Sequence, residues 1–281
     1  MSLYVPKPNR WLWSYDSRTD RPSTTDGTST TPGNNSKGSY SSAIVSAANM
    51  ANDAWWVEIY VSSGAGSGAA RDTLVDIGMD PAGGTSYSVL IPDLLAPNSA
   101  PYATFGGIQY SFPLHIPAGA QLAARTSVNN ATGGNPRVAI AVYGRPTRPD
   151  MRWKGKYVEA LGITAASSNG TTITSGTTSD GSWTSLGTAS FDSSYVEVGF
   201  GINDSTMSAL GYHMDVSHGA SGGDVADLSD VLASTTAAEQ VTKYPSGQTY
   251  CNVPAGTTVY GRMQCSGTPD SGLSMAAYLV S

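Results

Sequence analysis

The chain has 281 residues and a formal net charge of −6, with 13% charged and 40% hydrophobic residues. Gly, Ser and Thr together supply 98 residues, which disfavours a helical protein because Gly loses most backbone entropy in a helix and Ser and Thr compete for its hydrogen bonds. Fifteen Tyr, six Trp and recurrent aliphatic residues exclude disorder, and the acidic balance argues against a general nucleic-acid binder.

At the N-terminus, Met1 to Lys7 has no apolar leader core. No run anywhere reaches the roughly eighteen apolar residues of a membrane helix, so cytosolic synthesis without a membrane partner is expected. Residues 1–26 read as an extended arm in which Lys7, Arg10, Trp11, Trp13, Tyr15, Arg18 and Arg21 pair basic with aromatic side chains, the types enriched at protein interfaces. Such an arm either clasps a partner subunit or packs on its own first domain.

Strands follow. Trp56-Val57-Glu58-Ile59-Tyr60-Val61, Ser88 to Ile91, Gln121 to Arg125 and Val138 to Tyr143 are rich in β-branched and aromatic residues and are separated by turn clusters such as Gly83-Gly84 and Gly133-Gly134-Asn135-Pro136. The alternation puts Glu58 on the solvent face. Residues 145–168 form a basic connector, after which the pattern returns. Trp56 to Ile59 matches Tyr195 to Val198 at an offset of 139, Asp93 to Ala96 matches Asp230 to Ala233 at 137, and Tyr143 matches Tyr278 at 135. Pro117-Ala118-Gly119 and Arg125 return as Pro254-Ala255-Gly256 and Arg262, again at 137. A slowly drifting offset describes two homologous domains with short loop insertions, at 27–144 and 169–281. The predicted fold is all-β: two tandem antiparallel β-sandwich, jelly-roll-like domains after the arm. Leu228 to Lys243 is compatible with one short helix.

Charge divides unevenly over these segments: +1 in the arm, −2 in the first repeat, +3 in the connector and −8 in the second repeat. Nucleic-acid binding through Arg145, Arg148, Arg152, Lys154 and Lys156 is disfavoured, since the acids of the next domain would repel phosphate.

No catalytic set, metal site or cofactor motif is predicted. His115 precedes a Pro-Ala-Gly turn and reads as structural. In an extended segment His213 and Asp215 share a face while His218 points away, which disfavours a compact zinc site. Asp72, Asp76 and Asp80, and Asp224, Asp227 and Asp230, lack calcium-loop spacing and read as turn and cap residues. Glu58 and Glu197 fall in different domains, whereas a glycosidase needs two carboxylates in one cleft. Cys251 and Cys265 align with Leu114 and Val128 and read as buried thiols, with a disulfide as the alternative.

Val89 to Leu95, Tyr110 to Arg125 and Val138 to Gly144, with their partial return in the second copy, resemble the repeated β-domains of virion structural proteins of tailed bacteriophages. The resemblance implies a non-enzymatic virion component made in the bacterial host cytoplasm. Its first form is a head (capsid) decoration or tail-fibre-like protein, anchored on other virion proteins by the arm and first domain and assembled as a homo-oligomer, with a trimer compatible. The second is a tail-associated adhesin that binds a host-surface glycan through Tyr102, Phe105 and Trp183, and the third is a polysaccharide-degrading enzyme, which an acidic pair in one cleft would favour.

Overall fold

The period-2 segments form strands, and the repeat becomes two sandwiches. The computed structural model describes residues 13–18, 27–62, 70–99, 108–129, 135–144, 155–177, 179–202, 210–235, 241–243, 248–267 and 273–281. The first sandwich uses β1 (Ser14–Asp16), β2 (Thr28–Ser29), β3 (Gly33–Asn34), β4 (Ala54–Ser62), β5 (Ala70–Asp80), β6 (Ser88–Ser99), β7 (Ile108–Phe112), β8 (Gln121–Val128) and β9 (Arg137–Gly144). Its front sheet runs β1-β9-β4-β7, with β2 also on β9, and its back sheet runs β3-β8-β5-β6.

The second sandwich uses β10 (Val158–Leu161), β11 (Thr171–Thr172), β12 (Thr184–Thr188), β13 (Ser193–Ile202), β14 (Gly211–Gly219), β15 (Val225–Thr235), β16 (Val241–Lys243), β17 (Gln248–Val253), β18 (Thr258–Cys265) and β19 (Leu273–Val280). Its front sheet is β10-β19-β13-β17 with β11 on β19, and its back sheet is β12-β18-β14-β15-β16. The order β9-β4-β7 over β8-β5-β6 thus returns as β19-β13-β17 over β18-β14-β15. Among the described residues the only helical element is a single 3-10 turn at Ala47–Asn49. The expectation of an all-β sandwich fold holds.

Inward-facing residues alternate with outward ones, so Val57, Ile59, Val61, Ile140 and Val142 fill the first core, and Val196, Val198, Phe200, Met275 and Leu279 fill the second. Each Pro-Ala-Gly turn requires a left-handed glycine, with φ 78° at Gly119 and 79° at Gly256. An aspartate accepts the alanine N–H of each turn, Asp53 from Ala118 at 2.8 Å and Asp192 from Ala255 at 2.9 Å.

Two expectations are corrected. The segment after Leu228 is not helical: it continues β15 and, after an intervening stretch, β16. The three-residue spacing of buried Leu228 and Val231 comes from a β-bulge, because Met214 pairs with Val231 while Val216 pairs with Leu228. The extra residue is accommodated around Asp230, at φ 57°, and the first sandwich repeats the device around Asp93, at φ 54°, between Ile91 and Leu94. Secondly, Glu58 and Glu197 are not solvent-facing; they are 1% and 2% exposed. Both do project from the outer face of their front sheets, but tyrosines and the neighbouring sandwich cover that face.

The two sandwiches meet along a tyrosine-rich seam. The front sheet of the second, through β13 and β10, packs against β6 of the first. Tyr278 donates its hydroxyl to the Asp93 carbonyl at 3.0 Å and accepts the Leu95 N–H at 2.8 Å, while Tyr110 donates to the Leu95 carbonyl at 2.5 Å. Tyr195 donates to the Ser111 carbonyl at 2.6 Å. Tyr110 and Tyr278 thus give β6, the last strand of the first sandwich's back sheet, and Tyr195 gives β7, the last strand of its front sheet, partners that an unpaired edge would otherwise lack.

Candidate functional site

The repeat places an equivalent glutamate in the middle of β4 and of β13, and the packing of the sandwiches brings both to the seam. Glu58 accepts two phenol hydroxyls on Oε2, from Tyr60 at 2.5 Å and from Tyr143 at 3.0 Å. Its cross-strand neighbour on β7 is Ser111, whose N–H reaches Glu197 Oε2 at 3.4 Å; Glu197 Oε1 accepts the Val198 N–H at 3.2 Å. Both carboxylates act electrostatically on Tyr195. A pair that the sequence assigns to separate domains therefore meets across Ser111 of β7.

The phenols around this pair stay protonated. Burial, followed by the Glu58 hydrogen bond and charge, holds the Tyr60 hydroxyl well above its ordinary value; burial and the Glu58 charge do the same for Tyr143. Burial, followed by the Glu197 charge, raises Tyr195, and burial dominates at Tyr110 and Tyr278. Each hydroxyl is thus a donor at neutral pH, and hydrogen bonds to a carboxylate favour its ionised form. Burying charge without such donors would cost several kcal/mol.

Aromatic rings lead from the acids to the surface. Trp56 packs edge-on to Tyr195 at 6.2 Å between centroids, Tyr195 packs on Tyr250 at 6.0 Å, and Tyr250 is 36% exposed. Beside it the Cys251 thiol is pushed up to about 12, mainly by burial; Cys251 and Cys265 are both free.

A second repeated cluster lies on the back sheets. Arg125 Nε donates to Asp76 Oδ2 at 2.8 Å, and Arg262 Nε to Asp215 Oδ2 at 2.8 Å. In each case the other carboxylate oxygen accepts the N–H of the left-handed aspartate, Asp93 at 2.9 Å and Asp230 at 2.8 Å. Arg125 lies over Tyr40 at 5.0 Å and Arg262 over Trp183 at 4.4 Å. The one inversion is Lys37, which pairs with Asp76 at 2.7 Å, against Asp180, which pairs with Arg262 at 2.6 Å. Carboxylates held this way brace the bulge of each back sheet.

The remaining predicted residues are dispersed. Trp13 and Tyr15 pack against the first core, with Trp13 lying so close over Gly144 that a Cβ there would meet its indole. Arg18 lies 3.9 Å over the Tyr60 ring and ion-pairs with Asp16, and Trp183 is occupied by Arg262. Lys7, Arg10, Trp11, Arg21, Tyr102 and Phe105 lie outside the described residues, as do Arg145, Arg148, Arg152 and Lys154. His115 pairs with Asp53 at 3.4 Å, His213 with Asp230 at 3.3 Å, and His218 with Asp227 at 2.8 Å. Three His–Asp pairs at separate positions leave no group of three ligands among the described residues. Asp80 and Asp224 serve as turn acceptors, for the N–H groups of Ala82 and Ser86 and of Ala220 and Ser221.

Sequence reasoning passed over the acidic pair. The readable signal was a glutamate with tyrosines on the same strand face in both copies: Tyr60 beside Glu58, and Tyr195 beside Glu197.

No protein-family model and no curated protein matches the sequence. Among solved structures the chain is similar to N-glycanase F (PNGase F), at 9% identity and a TM-score of 0.39, covering 95% of each chain. It is similar to PNGase F, a glycosylasparaginase from Flavobacterium meningosepticum, at 8% identity and TM-score 0.36 over 100% of this chain and 92% of that one. A third likeness is PNGF-II, at 8% identity and TM-score 0.35; the chain covers 65% of that protein's length. The first two are named as an N-glycanase and a glycosylasparaginase, not as virion components. That finding corrects the expectation of a non-enzymatic virion structural protein, in its decoration and its adhesin form, and with it the expectation that the chain is not an enzyme.

Proposed function

We propose that the protein is a hydrolase acting on a glycan-bearing substrate, with Glu58 and Glu197 as its acid–base pair. The observation that carries this reading is that the two repeat-equivalent, buried carboxylates meet at the seam between the sandwiches, where Ser111, the cross-strand neighbour of Glu58, gives its N–H to Glu197. Hydrolysis of a glycosidic or glycosylamide bond requires one carboxylate to activate water while a second group delivers a proton to the leaving atom. Two carboxylates anchored on different rigid sheets supply those groups from opposite sides of one seam.

The surroundings support the assignment. Tyr60 and Tyr143, each half buried, are the donors bonded to Glu58, and they hold its carboxylate oriented. Water activation falls to Glu58 on this basis. Glu197, which accepts the Ser111 and Val198 N–H groups from the two sides of the seam, is left with the acid step: as the neutral carboxyl it gives its proton to the leaving atom and ends as the carboxylate. The ring of Tyr250, 36% exposed and backed by the buried Tyr195, offers a flat apolar face, which suits the C–H face of a sugar ring.

The test is turnover on a panel of polysaccharides, oligosaccharides and glycopeptides, read by mass spectrometry. Release by the wild type, with Glu58→Gln and Glu197→Gln each lowering kcat by at least about 100-fold at unchanged folding, is the expected result. Retained turnover in either isosteric variant, or no release from any member of the panel, overturns the proposal.

A further inference from the structure

We infer that the first sandwich carries a surface site for a sugar ring, built from Trp55, His115 and Asp53 beside its Pro-Ala-Gly turn. A β-bulge sets up the site. Ala54 pairs with Gly144 and Trp56 with Tyr143, so Trp55 is one residue more on β4 than β9 can match. A bulge re-aims the extra side chain. Ala54 and Trp56 are buried, at 0% and 3%, whereas the Trp55 indole between them is partly exposed. Just before the turn, His115 stands in an extended segment between buried Leu114 and Ile116, and 35% of its side chain reaches solvent. The two rings meet with centroids 4.6 Å apart and planes tilted by 44°.

Asp53 completes the group. Its Oδ1 accepts the Ala118 N–H at 2.8 Å and its Oδ2 lies 3.4 Å from His115 Nε2, with 51% of the side chain exposed. The Ala118 N–H chiefly holds this carboxyl below its ordinary range, which makes it an ionised acceptor at neutral pH. The turn itself requires neither ring. In the second sandwich Asp192 accepts the Ala255 N–H at 2.9 Å and Gly256 repeats the left-handed conformation of Gly119, yet Ser194 and Asn252 stand at the places of Trp55 and His115. One fold is built twice, once with small polar residues at these positions and once with an indole and an imidazole.

The three groups define what fits them. An indole face takes an apolar surface, a fixed carboxylate takes hydrogen-bond donors, and an imidazole beside it takes a hydroxyl as donor or acceptor. A pyranose offers all of these, with a C–H face and a rim of hydroxyls that both donate and accept. Asp53 opposes an anion. A small cation would satisfy the indole and the carboxylate but would compete with His115 for the latter. All three residues belong to the first sandwich, and binding there does not require the Glu58–Glu197 assignment.

The experiment is nitrogen-15 NMR of the six indole N–H groups of the full chain, with the Trp55 signal assigned by its loss in Trp55→Phe. Cellotriose, maltotriose and chitotriose are each titrated to ~20 mM, and at least one should shift the Trp55 signal saturably with a Kd on the order of millimolar. Trp55→Ser and His115→Asn install the residues of the second sandwich, so both should keep the wild-type circular dichroism. Saturation transfer from protein to sugar should vanish in Trp55→Ser, and His115→Asn should bind about fivefold more weakly. Wild-type affinity in either variant overturns the inference, as does a Trp55 signal that none of the three sugars moves. A Trp55 signal that moves with tetramethylammonium and with no sugar overturns it in favour of a cation site.

Discussion

Replacing Tyr278 by Phe removes one oxygen from the centre of the seam and tests how the two sandwiches are held together. That hydroxyl lies 2.8 Å from the Leu95 nitrogen and 3.0 Å from the Asp93 oxygen, and the residue is fully buried. Phe keeps the edge-on packing against Tyr110 at 5.4 Å and Phe112 at 6.2 Å, so no cavity larger than an oxygen is created. The Leu95 carbonyl also keeps its bond from Tyr110. What is lost is the partner of a buried N–H, costing about 1–3 kcal/mol, together with the donor to Asp93, worth about 1 kcal/mol. The expected destabilisation is therefore ~2–4 kcal/mol in urea unfolding followed by tryptophan fluorescence. Tyr143→Phe, at the equivalent but half-buried position, should cost under ~1 kcal/mol, because Glu58 retains Tyr60. A Tyr278→Phe protein within ~0.5 kcal/mol of wild type, or one no less stable than Tyr143→Phe, would refute the reasoning.

Other perturbations have equally definite outcomes. Arg262→Ala should destabilise more than Arg125→Ala, by roughly 1–2 kcal/mol in a paired denaturation series, because Asp76 keeps Lys37 whereas Asp215 and Asp180 both lose their cation. Asp230→Gly should preserve stability better than Asp230→Ala by about 1 kcal/mol, since φ 57° strains any residue with a Cβ and alanine has no side-chain oxygen to offset it. The Cys251 thiol, pushed up to about 12 mainly by burial, should resist alkylation at pH 8 in the native protein and react at once in urea; fast native alkylation would contradict its placement. The Asp53 carboxylate is held below its usual range, chiefly by the Ala118 N–H. Its stabilising contribution is therefore full above the ordinary carboxylate pKa and is lost as pH falls through the depressed one, so Asp53→Ala should narrow its stability gap to wild type in acid.

Much of the fold is legible in the residues themselves. Period-2 alternation in Trp56 to Val61 marks a strand, and the recurrence of Pro-Ala-Gly and its arginine marks the second sandwich, because local geometry at a left-handed glycine is written in a few neighbouring positions. The bulge at Asp230 is harder to read: shifting the register by one residue makes buried Leu228 and Val231 appear at a helical spacing. The seam is harder still. Burial of Glu58 and Glu197 depends on what covers the outer face of a sheet, and the covering groups, Tyr143, Tyr195 and Tyr278, are set by packing between segments more than 80 residues apart. The sequence aligned the two glutamates correctly while the inference that different sandwiches keep them apart failed, because domain assignment does not specify how domains dock. Leu95 and Leu232 make the same point from the opposite side, with one alignment column and two environments, 0% and 44% exposed.

The most direct test of the acid–base assignment is hydrolysis of a releasing substrate in heavy-oxygen water, comparing wild type with Glu58→Gln. The account predicts one labelled oxygen at the cleaved bond in each wild-type turnover and a near-complete loss of labelled product in the variant, with folding unchanged. Label incorporated by Glu58→Gln at the wild-type rate would contradict it.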